Sequence, residues 1–237
     1  MKRLTTVMLL ATVTAPVQAG TILHLEEVGF DLNSQYVARG AIVADRAAVQ
    51  PTATLSLTNA PVTVDLWGSF VAQDREVFGE VDELDVTATS GLEVPVGSQK
   101  FDLSCGLTRY HFTGAPSGAE TSHELGLSCA HQSWLAPQID YYYDIDLLDA
   151  HYLQVCCGPE VGLNQSGSLS FSLAPSVAIG DLGQEFGFQD ASMAMSASLA
   201  WGSMSLSPTF GYSYGSAEQN PDHHGWWGGF GVRFVNE

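Results

Sequence analysis

The chain has 237 residues, with 26 acidic and 8 basic side chains and a net charge of −18. That balance argues against a nucleic-acid partner and against docking onto anionic lipid through a basic patch. Only 14% of residues are charged, and 24 glycines and 10 prolines interrupt any long helical pattern. The composition therefore points to an all-β chain, of a size at which a single barrel domain is common.

Met1 to Ala19 reads as a secretory signal peptide. Lys2 and Arg3 form the positive start, Leu4 to Ala15 a short apolar core, and Val17-Gln18-Ala19 a small-residue cleavage site before Gly20. Its removal brings the net charge to −20 and leaves residues 20–237 as one domain. No later stretch approaches the ~18 consecutive apolar residues of a membrane helix.

From Phe30 onward the chain alternates. Phe30, Leu32, Tyr36 and Ala38 share one face of a first strand, with Asp31, Asn33, Gln35 and Arg39 on the other. A strand places successive side chains on opposite faces, so that polar face is expected to line a wet interior. Residues Gln50 to Thr58 return, and Val62, Val64, Leu66 and Phe70 then oppose Thr63, Asp65, Trp67 and Ser69. Leu84, Val86 and Ala88 oppose Glu83, Asp85 and Thr87, and Phe101, Leu103, Cys105 and Leu107 oppose Asp102, Ser104 and Thr108. Leu125, Leu127 and Cys129 oppose Glu124, Gly126 and Ser128, and Ile139, Tyr141 and Tyr143 oppose Asp140, Tyr142 and Asp144. A less regular strand follows from Ala150 to about Cys157, ended by Gly158-Pro159.

The strongest alternation lies between Ser168 and Tyr214. Leu169 to Ile179, Ala191 to Trp201 and Met204 to Tyr214 each carry one large apolar face and one face of Ser, Ala, Thr or Gly. Each runs roughly ten residues, the length of a tilted strand crossing a bilayer. The last strand, Trp226 to Phe234, ends on an aromatic, the type of signal read by outer-membrane barrel-assembly machinery.

The count is about twelve strands, and an even number of antiparallel strands is the expectation for a bacterial outer-membrane barrel. The connections fall into two classes. Those around Asn59, Gly97, Gln132, Gln165 and Gly202 are short and nearly uncharged, whereas those around Asp45, Glu76, Gly118, Asp146, Glu185 and Gln219 are mostly longer and acidic. Short periplasmic turns with longer external loops are the asymmetry of such barrels. The expected fold is an antiparallel transmembrane β-barrel, exported to the outer membrane of a Gram-negative bacterium and surrounded by its lipid.

The expected pore-lining set is Asp31, Gln35, Arg39, Asp65, Glu83, Asp85, Asp102, Glu124, Asp140 and Arg233. Rings of carboxylates favour cations. Arg39 reads first as a structural ion pair inside the barrel and second as a selectivity-setting cation. Asp31 and Arg233 should meet where the first and last strands close. Four cysteines in an exported chain permit disulfides with three possible pairings, of which Cys105–Cys129 would bridge one hairpin.

Ser34-Gln35-Tyr36-Val37-Ala38-Arg39-Gly40 resembles the S-x-Y-x-x-R-G opening of the TorF family of porins. Further pieces follow in that family's order: Pro51 opening the second strand, Trp67-Gly68-Ser69 for its W-x-S, Asp82-Glu83-Leu84-Asp85 for its acidic E-x-D strand, Tyr110-His111-Phe112 for its Y-x-Y, and Glu124 to Ser128 for a glycine-bearing strand. The likeness covers about Phe30 to Ser128. It implies an outer-membrane barrel with a pore role. Tyr36 is then expected outward, in an interfacial aromatic belt.

The function expected is a small, cation-preferring passive channel for ions or small solutes, with no enzyme activity and no cofactor. The alternative is a closed structural or adhesion barrel acting through acidic loops. A barrel phospholipase is the enzymatic alternative, from His131-Gln132-Ser133, which falls in a turn on the periplasmic side. Asp222-His223-His224 reads as a solvated loop rather than a metal site, because no further ligand is fixed by spacing.

Overall fold

The computed structural model describes residues 23–58, 60–71, 82–181, 185–216 and 224–236. The signal-peptide expectation, the acidic loop around Glu76 and most of Asp222-His223-His224 lie outside the described residues. The described chain is built from fifteen strands: β1 (Leu23–Asn33), β2 (Tyr36–Ala38), β3 (Ala41–Ala44), β4 (Ala48–Leu57), β5 (Val62–Val71), β6 (Asp82–Val96), β7 (Gln99–Thr113), β8 (Thr121–His131), β9 (Gln138–Asp144), β10 (Ala150–Cys156), β11 (Glu160–Gly162), β12 (Leu169–Gly180), β13 (Gly187–Trp201), β14 (Met204–Gly215) and β15 (His224–Val235).

Twelve of these form the wall. β1 pairs with β4, β4–β10 pair in sequence order, β10 pairs with β12, β12–β15 continue, and β15 pairs back onto β1. Every wall pairing is antiparallel. The sheet is thus a closed transmembrane β-barrel of twelve strands. Closure gives each strand two hydrogen-bonding neighbours and leaves no open edge in lipid.

Alternation sorts the side chains as the sequence predicts, and the distribution is inside-out. Leu107, Leu125, Leu127, Ile139, Val177, Leu199, Phe210 and Trp226 are exposed on the outer face. Buried side chains include Glu83, Glu124, Asp140, Asp190, Ser69 and Ser122. A soluble protein reverses this preference, whereas a barrel spanning lipid requires it.

Two of the short neutral turns form as expected, while the connections around Glu76 and Gln219 lie outside the described residues. Gly97-Ser98 and Gly202-Ser203 are two-residue turns whose glycines take φ +63° and +59°. Positive φ at the first central position matches the twist of paired strands. These turns, the start of β1 at Leu23 and the end of β15 at Val235 share the turn end of the barrel, and the described connections 114–120 and 145–149 lie at the opposite, loop end. One connection departs from expectation. The stretch around Gln165 is not a bare turn, because β11 adds a short strand against Ser170–Ser172 of β12.

Two further expectations are corrected. The first wall strand does not continue to Arg39. It ends at Asn33, and residues 34–47 turn inward as the β2–β3 hairpin. Cys105 and Cys129 are free thiols, as are Cys156 and Cys157. The β7–β8 register sets Cys105 opposite Leu127 and Cys129 opposite Leu103. The two cysteines are therefore diagonal neighbours on the outer face, a relation that separates Cα atoms by about 7–8 Å and lies beyond comfortable disulfide reach.

The seam pairing forms. The Arg233 guanidinium donates to Asp31 at 2.6 Å, lies 3.5 Å from Glu27, and reaches the Phe30 carbonyl at 3.1 Å. This joins the first and last strands by charge-assisted bonds in a half-buried setting. Arg233→Met should lower unfolding stability in lipid vesicles by roughly 1.5–3 kcal/mol, the range for hydrogen bonds to charged groups. Urea titration measures it, and an unchanged midpoint contradicts the clip. Iodoacetamide labelling of unfolded, unreduced protein should tag all four cysteines.

Candidate functional site

The site is built by the inward hairpin. Ser34 marks where the chain leaves the wall. Its N–H donates to the Gly228 carbonyl at 2.8 Å, and its hydroxyl accepts from the Gly228 N–H at 2.9 Å. Gln35 then donates to Asp45 across the base of the hairpin. Tyr36 pairs with Ala44 and Ala38 with Ala41, and the tip is Arg39-Gly40 with φ +48° and +72°. Positive φ at both central residues is the two-residue turn that suits a twisted hairpin. Arg39 is strained there, as a residue with a Cβ in the left-handed region, and its contacts must offset that cost.

Those contacts are made with the wall. The Arg39 guanidinium forms an ion pair with Glu124 of β8, whose carboxylate is almost fully buried. The same cation sits 4.8 Å from the Tyr152 ring centroid and 5.2 Å from that of Tyr142. Tyr110 donates its hydroxyl to the second Glu124 oxygen at 2.8 Å, and Tyr152 donates to Asp190 at 2.7 Å. One turn of hairpin away, Tyr36 donates to Glu83 at 2.7 Å and packs against Trp67 at 5.6 Å between centroids.

The opposite wall makes room for the hairpin. The inner faces of β12–β15 are mostly Ser, Ala and Gly. A Cβ at Gly40 would clash with the Asp190 side chain, and a Cβ at Gly225 would lie 3.1 Å from Ile42. The small-residue faces that stood out in the sequence are thus the surface on which the hairpin rests.

Among the described residues, three cavities follow the barrel axis. The one nearest the loop end is about 400 Å³, bounded by Tyr36, Val43, Trp67, Phe112, Leu147 and Leu148. The next is about 490 Å³, bounded by Thr87, Thr108, Gln154, Ser192, Ser213 and Trp227. Arg39, Asp85, Tyr110 and Glu124 line both, so they form the waist between the two. A third, of about 150 Å³, begins at Thr87, Thr108 and Tyr142 and extends toward Ser104 and Ser128.

The sequence-derived set therefore divides. Arg39, Asp85 and Glu124 meet at the waist, and Glu83 lines the loop-end cavity beside it. Asp31 and Arg233 are held at the seam. Asp65 accepts from Thr54 at 2.7 Å, and Asp140 accepts from Gln138 at 2.8 Å. Asp102 lies at the turn end, where Gln132 donates to it at 2.9 Å. Gln35 belongs to the hairpin base rather than the wall. Tyr36 faces inward, not into a lipid belt, because its hydroxyl finds Glu83 and its ring finds Trp67.

Tyr110, Tyr142, Tyr152 and Asp190 complete the waist and were missing from that set. Two of them were visible as inward positions: Tyr110 is two residues beyond Thr108, and Tyr142 shares a face with Asp140. Tyr152 lies on the strand with the weakest alternation. The His131 ring bonds Gln99 at 2.7 Å and packs on Phe101.

No protein-family model matches the chain, and no curated protein matches it in sequence. Among solved structures, a membrane protein from a study of in-meso crystallization aligns over 90% of this chain and 84% of its own, at 8% identity and TM-score 0.53. The Acinetobacter baumannii outer membrane protein Omp33 aligns over 91% of this chain and 99% of its own, at 9% identity and TM-score 0.44. Outer membrane protein OprD from Pseudomonas aeruginosa aligns over 87% of this chain and 64% of its own, at 10% identity and TM-score 0.40. At 8% identity the first of these likenesses is one of fold alone.

Gly40→Ala adds a Cβ that meets Asp190 at a positive φ. It should loosen the hairpin while leaving the wall intact. Trypsin cleavage after Arg39 in the folded barrel should rise about tenfold, equivalent to about 1.4 kcal/mol in hairpin opening. Cleavage at the wild-type rate contradicts the packing described.

Proposed function

We propose that this chain is a TorF-like porin of a Gram-negative outer membrane, forming a narrow, cation-preferring passive channel for ions or small solutes. One observation carries the reading. Cavities stand on either side of a waist where Asp85 and Glu124 flank the Arg39 guanidinium, with Glu83 lining the loop-end cavity beside them. A stack of cavities inside an apolar shell suits diffusion, and an excess of carboxylates between the two larger ones disfavours anions. The apolar outer face supports residence in lipid, and the terminal strand bearing Phe234 supports folding by the barrel-assembly machinery.

The expected signature is discrete conductance steps from the refolded mature protein in a planar bilayer, with a cation-selective reversal potential in a salt gradient. Arg39→Ala removes the Arg39 cation from the waist, so both conductance and cation preference should rise. Unchanged values in that variant contradict the placement of the selectivity level.

A second reading has its own observation. The hairpin fills the waist and is anchored there by Tyr36 and Arg39. A barrel closed by that plug would act through its acidic loops. Silence of a folded, inserted wild-type protein, with conductance restored by removal of residues 35–45, supports it.

A further inference from the structure

We propose that the waist is a binding site for guanidinium groups, built entirely by the barrel wall and occupied in the resting protein by the chain's own Arg39. The inference rests on the channel reading and names the solute class its lumen recognises: small molecules bearing a guanidinium.

The wall elements alone supply the site. Glu124 from β8 provides the carboxylate, and Tyr110 from β7 fixes that carboxylate by donating to its other oxygen. Tyr142 from β9 and Tyr152 from β10 present their rings to the cation, with Asp190 from β13 holding the Tyr152 hydroxyl. None of these belongs to the hairpin. The cation alone comes from elsewhere, on a two-residue turn inserted from the loop end.

The chemistry selects guanidinium over ammonium. A planar, weakly hydrated cation can lie against tyrosine faces and direct N–H groups in its own plane to a carboxylate, whereas an ammonium is a compact, strongly hydrated point charge. Guanidinium also carries five N–H donors, more than one carboxylate uses. A second acceptor stands ready: Asp85 lines the same cavity, and its Oδ1 is buried without a hydrogen-bond partner among the described residues. An orphaned acceptor beside an aromatic-lined cation site is the expected trace of a donor-rich ligand.

Tethering explains why Arg39 is the resident. A side chain held on a short hairpin acts at an effective concentration in the millimolar range or above, so it outcompetes dilute solute. The hairpin is hydrogen-bonded mainly within itself and through a few side chains, which allows local release without unfolding the barrel. A solute bearing guanidinium that displaces Arg39 would replace the plug's anchor with itself and then pass on.

The test empties the site. Folded Arg39→Ala protein in detergent is titrated calorimetrically with ethylguanidinium chloride and, at equal ionic strength, with n-butylammonium chloride. Ethylguanidinium should bind Arg39→Ala saturably at millimolar concentration, at least tenfold more tightly than n-butylammonium and at least tenfold more tightly than it binds wild type. Adding Glu124→Gln should abolish the binding. Arg39→Lys, which keeps a charge on the tip, serves if the alanine variant does not fold, and should likewise admit ethylguanidinium better than wild type does. Equal affinity of the variant for both cations, or affinity no better than wild type, overturns the proposal. Binding without conductance in a bilayer would sink the channel reading and leave the site standing. Conductance without binding would do the reverse.

Discussion

Hydrogen bonding of the backbone sets the terms for this molecule. A strand in hydrocarbon cannot leave its N–H and C=O groups unpaired, so the sheet must close. Closure brings β15 against β1, and Arg233 then meets Asp31 across a seam separated by nearly the whole sequence. Closure also assigns every side chain to lipid or lumen. With that assignment made, carboxylates on β6, β8, β9 and β13 have only the interior to occupy, and they must find donors there.

The lumen meets that demand unevenly. One side of the wall, from β5 to β10, carries most of the carboxylates and tyrosines. The other, from β12 to β15, carries Ser, Ala and Gly. The small side leaves a volume, and the β2–β3 hairpin fills it, bringing Tyr36 to Glu83 and Arg39 to Glu124. Strain at the Arg39-Gly40 tip is offset by an ion pair, two ring contacts and the close seat of Gly40 on Asp190. The two halves of the lumen and the hairpin thus form one packing solution, and the waist between the two larger cavities is its consequence.

Much of this was legible in the sequence, and the failures share one cause. The period of two in Leu169–Ile179, Ala191–Trp201 and Met204–Tyr214 gave strand faces that the register confirms, and the neutral Gly97 and Gly202 turns marked one end of the barrel. Asp31 and Arg233 could be paired because closure of first and last strands follows from an even count. The residues after Asn33 could not be placed. Tyr36, Ala38 and Arg39 alternate in a hairpin inside the lumen just as they would in the wall, and a tyrosine suits a lipid interface as well as it suits a buried carboxylate. What distinguishes the two is the partner, Glu83 or Glu124, and partners across the lumen depend on the whole closed register. The same holds for Cys105 and Cys129: their faces were readable, but the two-residue offset between them was not.

The central claim is that the segment bearing Arg39 lies inside the barrel, against the small-residue wall, in the membrane-embedded protein. Proximity of Ile42 to Gly225 tests it most directly. In a background with the four native cysteines replaced by serine, Ile42→Cys and Gly225→Cys should be joined by a short bifunctional maleimide within the folded, vesicle-inserted barrel, giving a fragment pattern after cleavage between them that stays covalently linked. Separate fragments from a protein that is folded and labelled at both sites would place the hairpin outside the lumen and remove the waist on which the functional account stands.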